Sequence, residues 1–277
     1  MRCAGNVTEL IGGIDVFLVD QFGTLHDGQA LYPGVVSALR RLQAAGARVA
    51  LLSNSGKRAQ ANALRLAKLG VPPDVYDLFV TSGEIAWQML RDGAVPAAQG
   101  ARRCLLLERG GEGMALDELG LVQVQDAAQA ELVIIAGSEG DRRSLADYEA
   151  LLLPAARRRT PCLCLNPDRI MLTPSGPAFG AGCIAELYER LGGSVTWIGK
   201  PHAAIYDHAL RLLGEPDRAR VAGVGDSVEH DIAGARAAGC KAWLVRSGIV
   251  ADADDAAVAA ECARRGVLPD GVLQAFG

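Results

Sequence analysis

Four polar clusters in this 277-residue chain each follow directly on a short apolar run. Asp20 closes Ile14–Val19, and Ser53-Asn54 follows Arg48–Leu52. Gly199-Lys200-Pro201 follows Val195–Ile198, and Gly225-Asp226 follows Arg220–Val224. If the runs are buried parallel strands, these positions converge on one edge of the sheet, where open α/β sheets bind ligands. Two carboxylates, a hydroxyl–amide pair and an ammonium then share one small site. Carboxylates packed together repel, so the cluster calls for a cation, and hard oxygen ligands select Mg²⁺. An Asp nucleophile, Ser and Lys as phosphate anchors and Mg²⁺ for charge neutralisation make a phosphoryl-transfer site. Taken singly, each cluster reads as a helix cap or a turn. Capping does not predict all of them in this order at strand ends.

The elements that must position these residues alternate. Helical patterns over 34–45 and 57–69 separate the strand runs 14–19, 48–52 and 77–81, with a further helix over 83–90. Such alternation predicts a parallel sheet with helices on both faces. After a loop-like stretch at 96–100 a new series begins, with strands at 103–107, 132–136 and 161–165 and a helix over 144–159. A helix from 182 to about 191 and a strand at 195–198 lead to the Lys200 cluster. The helix 202–213, strand 220–224, helix 231–238 and strand 242–245 follow. Arg157-Arg158-Arg159 reads as a solvated helix end and 251–261 as the exposed start of a last helix.

Composition excludes several classes. Half the residues are hydrophobic, which is enough for a sizeable core, and the net charge of −4 offers no global basic field for nucleic acid. No apolar run reaches bilayer length and no export signal precedes Ile14, so a cytoplasmic protein is expected, with no membrane partner. The seven scattered cysteines argue against a disulfide framework and read as buried reduced thiols; Cys162 and Cys164, two apart on a strand, face the same way.

The motifs LVDQFGTLHDG (18–28), LLSNSGK (51–57), IGKPHAAIY (198–206) and GVGDSVEHDIAGARAAG (223–239) resemble the haloacid dehalogenase superfamily, in its class IIA branch of NagD-like sugar and nucleotide phosphatases. The resemblance runs from about Gly13 to Gly271. It implies a Rossmann-like doubly wound core, residues 1–95 joined with 194–277, and a C2-type α/β cap inserted as 96–193. It also implies that Asp20 is the nucleophile and a Mg²⁺ ligand, that Ser53 and the Asn54 backbone hold the phosphoryl group, and that Lys200 stabilises its charge. It further implies that Asp226 ligates the metal directly or through water and that Asp231 completes or orients that shell, with the carbonyl of Phe22 as a further ligand. Asn166, Asp168 and Arg169 in LNPDRI are cap-side candidates for substrate contacts, set against a reading as a helix start or inter-domain hydrogen bonds. The implied substrate is a small phosphorylated metabolite, and a homodimer through the cap is a family-level expectation.

One departure stands out. The family's phosphatases carry an acid/base Asp two residues after the nucleophile, where this chain has Phe22. General acid–base help is worth about 10²–10⁴ in rate, so ordinary esters are expected to turn over slowly unless another group substitutes. His26 and Asp27 are the nearest ionisable residues, with His26 read as a solvated or turn-packing side chain. An aromatic at that position also resembles metal-independent 2-haloacid dehalogenases, against which the paired Asp226 and Asp231 argue. A pseudo-phosphatase that binds a phosphorylated ligand without turnover is the remaining alternative.

Overall fold

A computed structural model describes residues 2–110, 114–173 and 175–277. The chain begins with β1 (Arg2–Ala4), β2 (Val16–Asp20), α1 (Val35–Ala44), β3 (Arg48–Ser53), α2 (Ala59–Lys68), β4 (Leu78–Thr81) and α3 (Ser82–Arg91). It continues through β5 (Arg103–Leu107), β6 (Val122–Gln123), β7 (Leu132–Ile135), α4 (Leu145–Arg157) and β8 (Pro161–Cys164). Then come β9 (Ile170–Thr173), β10 (Gly176–Phe179), α5 (Ala181–Arg190) and β11 (Ser194–Trp197). The last stretch holds α6 (Ala203–Leu212), β12 (Val221–Gly225), α7 (Ala233–Ala237), β13 (Lys241–Val245), α8 (Asp255–Arg265) and β14 (Gly271–Leu273).

The chain separates into two compact units, one of Met1–Ser53, Asn62–Val80 and Lys200–Gly277, the other of Asn54–Ala61 and Thr81–Gly199. Segments 54–61, 81–95 and 194–199, which sequence alone groups with the core, fall in the second unit.

The first unit is built on a seven-stranded sheet in the order β1-β14-β13-β12-β2-β3-β4. β2 runs parallel to β3 on one side and to β12 on the other, with Val16 opposite both Arg48 and Val221. Chain order reverses at β2, which makes the β2/β12 seam the switch point of this Rossmann-like sheet. The strands are apolar on both faces because both are covered. Phe17, Val19, Val49 and Leu51 gather with Leu39 and Leu42 of α1 in one buried cluster. α1 buries Val35, Ala38, Leu39 and Leu42, the three-to-four spacing that turns one helical stripe to the core.

The second unit has a parallel sheet ordered β11-β8-β7-β5-β6 and an antiparallel hairpin of β9 and β10. Leu105, Val133, Ile135, Cys162 and Cys164 share a buried cluster with Leu152 of α4 and Ile184 of α5. Ser144 caps α4 in a reciprocal capping box with Asp147, and the helix ends at the exposed arginines 157–159.

Three features depart from the expected elements. β1 and β14 are short strands without a long apolar run of their own, and they exist through their pairing, Arg2 to Gly271 and Ala4 to Leu273. The helix expected over 231–238 is entered through a π-helical turn, Val228–Ile232, and only then becomes α7. The cysteines are all free, but Cys3 is exposed on β1 and Cys183 is half-buried, so the expectation of burial holds for five of seven. Among the described residues no helix is long and apolar enough to cross a membrane.

Candidate active site

Strand ends carry the charged residues. Asp20 is the last residue of β2 and Asp226 directly follows β12, so the two stand at the switch point. Asp231 sits on the π-helical turn, where it is buried. π turns are rare and concentrate at functional sites. Lys200, three residues before α6, is buried and donates from Nζ to Asp20 Oδ1 and, at 2.7 Å, to Asp231 Oδ1. Asp231 Oδ2 also accepts the Ser227 N–H at 3.1 Å, and the Thr24 hydroxyl donates to Asp20 Oδ2 at 3.4 Å. Carboxylate oxygens of Asp20, Asp226 and Asp231 all lie within 4.8 Å of one another.

Three carboxylates therefore face one ammonium in a place with little water. Burial pushes Asp20 up to about 7, with Lys200 opposing the rise and Asp231 adding to it. Burial likewise pushes Asp226 up to about 8, aided by the charges of Asp20 and Asp231. For Lys200 burial favours the neutral form, but the two adjacent carboxylates outweigh it and hold the ammonium charged. Such an excess of buried negative charge is costly unless a cation offsets it. An all-oxygen donor set from closely spaced carboxylates fits a hard divalent ion such as Mg²⁺.

Asp226 is held by backbone from both neighbouring strands. The Ile249 N–H, in the loop after β13, donates to Asp226 Oδ2 at 2.6 Å. Gly248 has φ +54°, and a Cβ there would lie 1.9 Å from the same oxygen; Gly23, after β2, has φ +86° and would place a Cβ 2.0 Å from it. The Ser247 hydroxyl ties the two loops by donating to the Gly23 carbonyl at 2.6 Å. This clasp is missing from the sequence reading, although its signal was present: Ser247-Gly248 follows a buried strand as Asp20 and Asp226 do.

The remaining candidates divide. Ser53 is the last residue of β3, two strands from β12 on the same sheet. Asn54 belongs to the second unit, where its buried amide donates to Asp168 Oδ1 at 2.8 Å. Asn166 Oδ1 accepts the Asp168 N–H at 2.9 Å, and the Asp168 carbonyl accepts the Gly182 N–H at the start of α5. LNPDRI is thus a turn that leads into β9 and offers the Asp168 carbonyl to the first turn of α5, with Arg169 paired to Glu186 at 3.3 Å.

Phe22 is 42% exposed, and its ring meets His26 edge to face at 5.7 Å. His26 is buried, so of its two readings the turn-packing one holds and the solvated one does not: its Nδ1 accepts the Gly28 N–H at 3.0 Å. Burial holds its pKa down at about 4, with Arg65 adding to the drop and Asp27 opposing it. Asp27 is held below the usual carboxylate range by the backbone N–H groups of Ala30 and Gln29, both 2.8 Å from its Oδ1.

Comparison with known proteins agrees in kind. Residues 17–122 match the family described as haloacid dehalogenase-like hydrolase, and residues 197–272 match a second, HAD-hydrolase-like family. The chain is 30% identical over 241 residues to the haloacid dehalogenase-like hydrolase domain-containing protein 2 of Bos taurus, covering 86% of each chain. A haloacid dehalogenase-like hydrolase from Brucella suis superposes with a TM-score of 0.84 at 28% identity, over 99% of this chain and 100% of that one. The p-nitrophenyl phosphatase of Archaeoglobus fulgidus gives 0.72 at 27% identity, over 95% and 96%.

Two outcomes follow from this geometry. Between pH 3.8 and about 7–8 the folded, metal-free protein holds protons on Asp20 and Asp226 that the unfolded chain has lost, so stability falls as pH rises. His26 acts with the opposite sign, but only between about 4 and 6.5. Thermal melts in EDTA should therefore drop from pH 6.5 to 8.5, and Mg²⁺ should restore most of the loss at the upper end; a flat profile in EDTA contradicts the assignment. Gly248→Ala should weaken Mg²⁺ binding about 10–100-fold, as removal of outer supports of a metal site does. Calorimetry checks this against Gly46→Ala, which has φ +80° but open space around its Cβ and should bind Mg²⁺ as the wild type does.

Proposed function

This chain belongs to the haloacid dehalogenase-like hydrolase family, and from that premise we propose that it is a Mg²⁺-dependent phosphatase of small phosphorylated metabolites that works through an aspartyl-phosphate on Asp20. The observation that carries this reading is the buried cluster of Asp20, Asp226 and Asp231 with Lys200 at the β2/β12 switch point. A phosphoryl group is the ligand that such a set suits, because its own negative charge can enter only where cations offset three carboxylates. The likeness to the Archaeoglobus fulgidus p-nitrophenyl phosphatase supports phosphate rather than halide as the leaving chemistry.

Each residue then has a task. Asp20 attacks phosphorus with a carboxylate oxygen, its carboxylate being oriented by Lys200 on Oδ1 and by Thr24 on Oδ2. Lys200 stays charged throughout, and its position on Asp20 lets it offset charge that builds on the phosphoryl oxygens. Ser53 offers a hydroxyl to those oxygens. Asp226 and Asp231, with Asp20 and the Phe22 carbonyl, would hold Mg²⁺, which when bound neutralises the phosphate and the carboxylates together.

Phe22 keeps a second reading in view, in which the site binds a phosphorylated ligand without useful turnover. Phosphate release from p-nitrophenyl phosphate and a panel of sugar and nucleotide phosphates, with Mg²⁺ and with EDTA, separates the two. Activity is expected with Mg²⁺ alone and is expected to vanish in Asp20→Asn. Tight phosphometabolite binding with no release supports the binding reading. Activity that survives EDTA, with chloride release from 2-chloropropionate, overturns the phosphatase reading in favour of dehalogenation.

A further inference from the structure

Transfer of a phosphoryl group from an alkyl ester leaves an alkoxide that needs a proton, and hydrolysis of the resulting aspartyl-phosphate needs a water that has lost one. Among the described residues, the ionisable groups nearest Asp20 in the cluster and in the loop after β2 are committed elsewhere. The Lys200 ammonium is shared between Asp20 and Asp231. Asp226 and Asp231 belong to the cation's donor set, and the Thr24 hydroxyl is spent on Asp20. Phe22, two residues beyond the nucleophile, presents only carbon. His26 is buried behind the Phe22 ring edge with Nδ1 taken by the Gly28 N–H, and Asp27 is bound to two backbone N–H groups.

We infer that the site acts on phosphoryl donors whose leaving group departs as a stabilised anion, such as acyl phosphates, phosphoanhydrides and aryl or enol phosphates, and that the aspartyl-phosphate on Asp20 outlives the first step. The inference rests on the phosphatase reading and names its substrate class. In the first step an Asp20 oxygen forms a bond to phosphorus, and the leaving oxygen takes the electron pair of the broken P–O bond without a proton. In the second, a water oxygen bonds to phosphorus, the Asp20–phosphorus bond breaks with its electron pair returning to the carboxylate, and the water's proton passes to solvent. The first step tracks leaving-group acidity and governs kcat/KM. The second is common to all donors and governs kcat wherever the first step is the faster.

The test uses the intact protein with Mg²⁺ and four donors: acetyl phosphate, p-nitrophenyl phosphate, phenyl phosphate and glycerol phosphate. Expected are a fall in kcat/KM of about 10²–10⁴ from the first two to glycerol phosphate, the value of the missing acid, and one shared kcat for the first two. Rapid-quench traces should show a burst near one equivalent per chain, and intact-protein mass a phosphoryl adduct that Asp20→Asn lacks. Phe22→Asp should raise kcat/KM for glycerol phosphate and erase the burst, whereas Phe22→Asn, of similar size but without a titratable group, should do neither. Tyr32, whose phenol feels the charges of Asp27 and Asp226, is the control: Tyr32→Phe should keep the spread between donors, and a selective loss on glycerol phosphate overturns the inference by making Tyr32 the acid. Equal kcat/KM on glycerol phosphate and p-nitrophenyl phosphate without a burst also overturns it, while leaving the phosphatase reading intact. Neither adduct nor phosphate release from acetyl phosphate overturns both.

Discussion

The constraint on which this structure turns is the Lys200 ammonium buried between Asp20 and Asp231, with Asp226 beside them. A buried ion pair is weak evidence of stability, because desolvation consumes much of the Coulombic gain. Here the balance is worse still, since three carboxylates outnumber the one ammonium, and burial with their neighbours' charge raises Asp20 and Asp226. Such an arrangement is poor as a structural staple. It becomes favourable once a cation and an anion enter together, which is the condition a phosphoryl-transfer site imposes on its ligands. The same argument explains why Lys200 lies close to Asp20 and Asp231: its charge restrains both carboxylates.

The sheet was legible because its strands are buried on both faces and read as short apolar runs with a polar residue at each end. Asp20, Ser53 and Asp226 stand at strand ends for that reason, whereas the strand before Lys200, β11, belongs to the other sheet, so the expectation that all four clusters end strands of one sheet fails for Lys200. What escaped has a common cause. β1 and β14 carry no long apolar run, and their pairing spans nearly the whole chain, so no local pattern announces them. The π-helical turn differs from an α-helix by one residue per turn, and the composition VEHDI does not distinguish the two. The Asn54–Asp168 bond joins residues 114 positions apart, and only the fold brings them together.

Phe22 was legible as an anomaly, but its surroundings were not. From sequence, His26 is an available imidazole a few residues from the nucleophile. In the fold the chain doubles back, Gly23 N–H to the His26 carbonyl, and the buried imidazole meets Phe22 edge to face. Burial then removes the proton that would have made it useful, because the charged form loses its water. The aromatic thus costs the site an acid in its own position, and the buried turn withdraws the nearest imidazole.

Register ties the fold to this chemistry. β12 lies between β2 and β13, all three parallel, with Val224 opposite both Val19 and Trp243. Residues just past the ends of three adjacent strands therefore meet at one height: Gly23, Asp226 and Gly248. The two glycines let the flanking loops close on one carboxylate oxygen at distances that a Cβ would forbid, and the Ile249 N–H fixes its direction. A slip of one residue in either pairing would exchange the strand's two buried faces and carry one jaw of the clasp away from the oxygen. The hydrophobic pattern that holds register in the core is thus also what aims Asp226, so metal geometry and core packing are specified by the same residues.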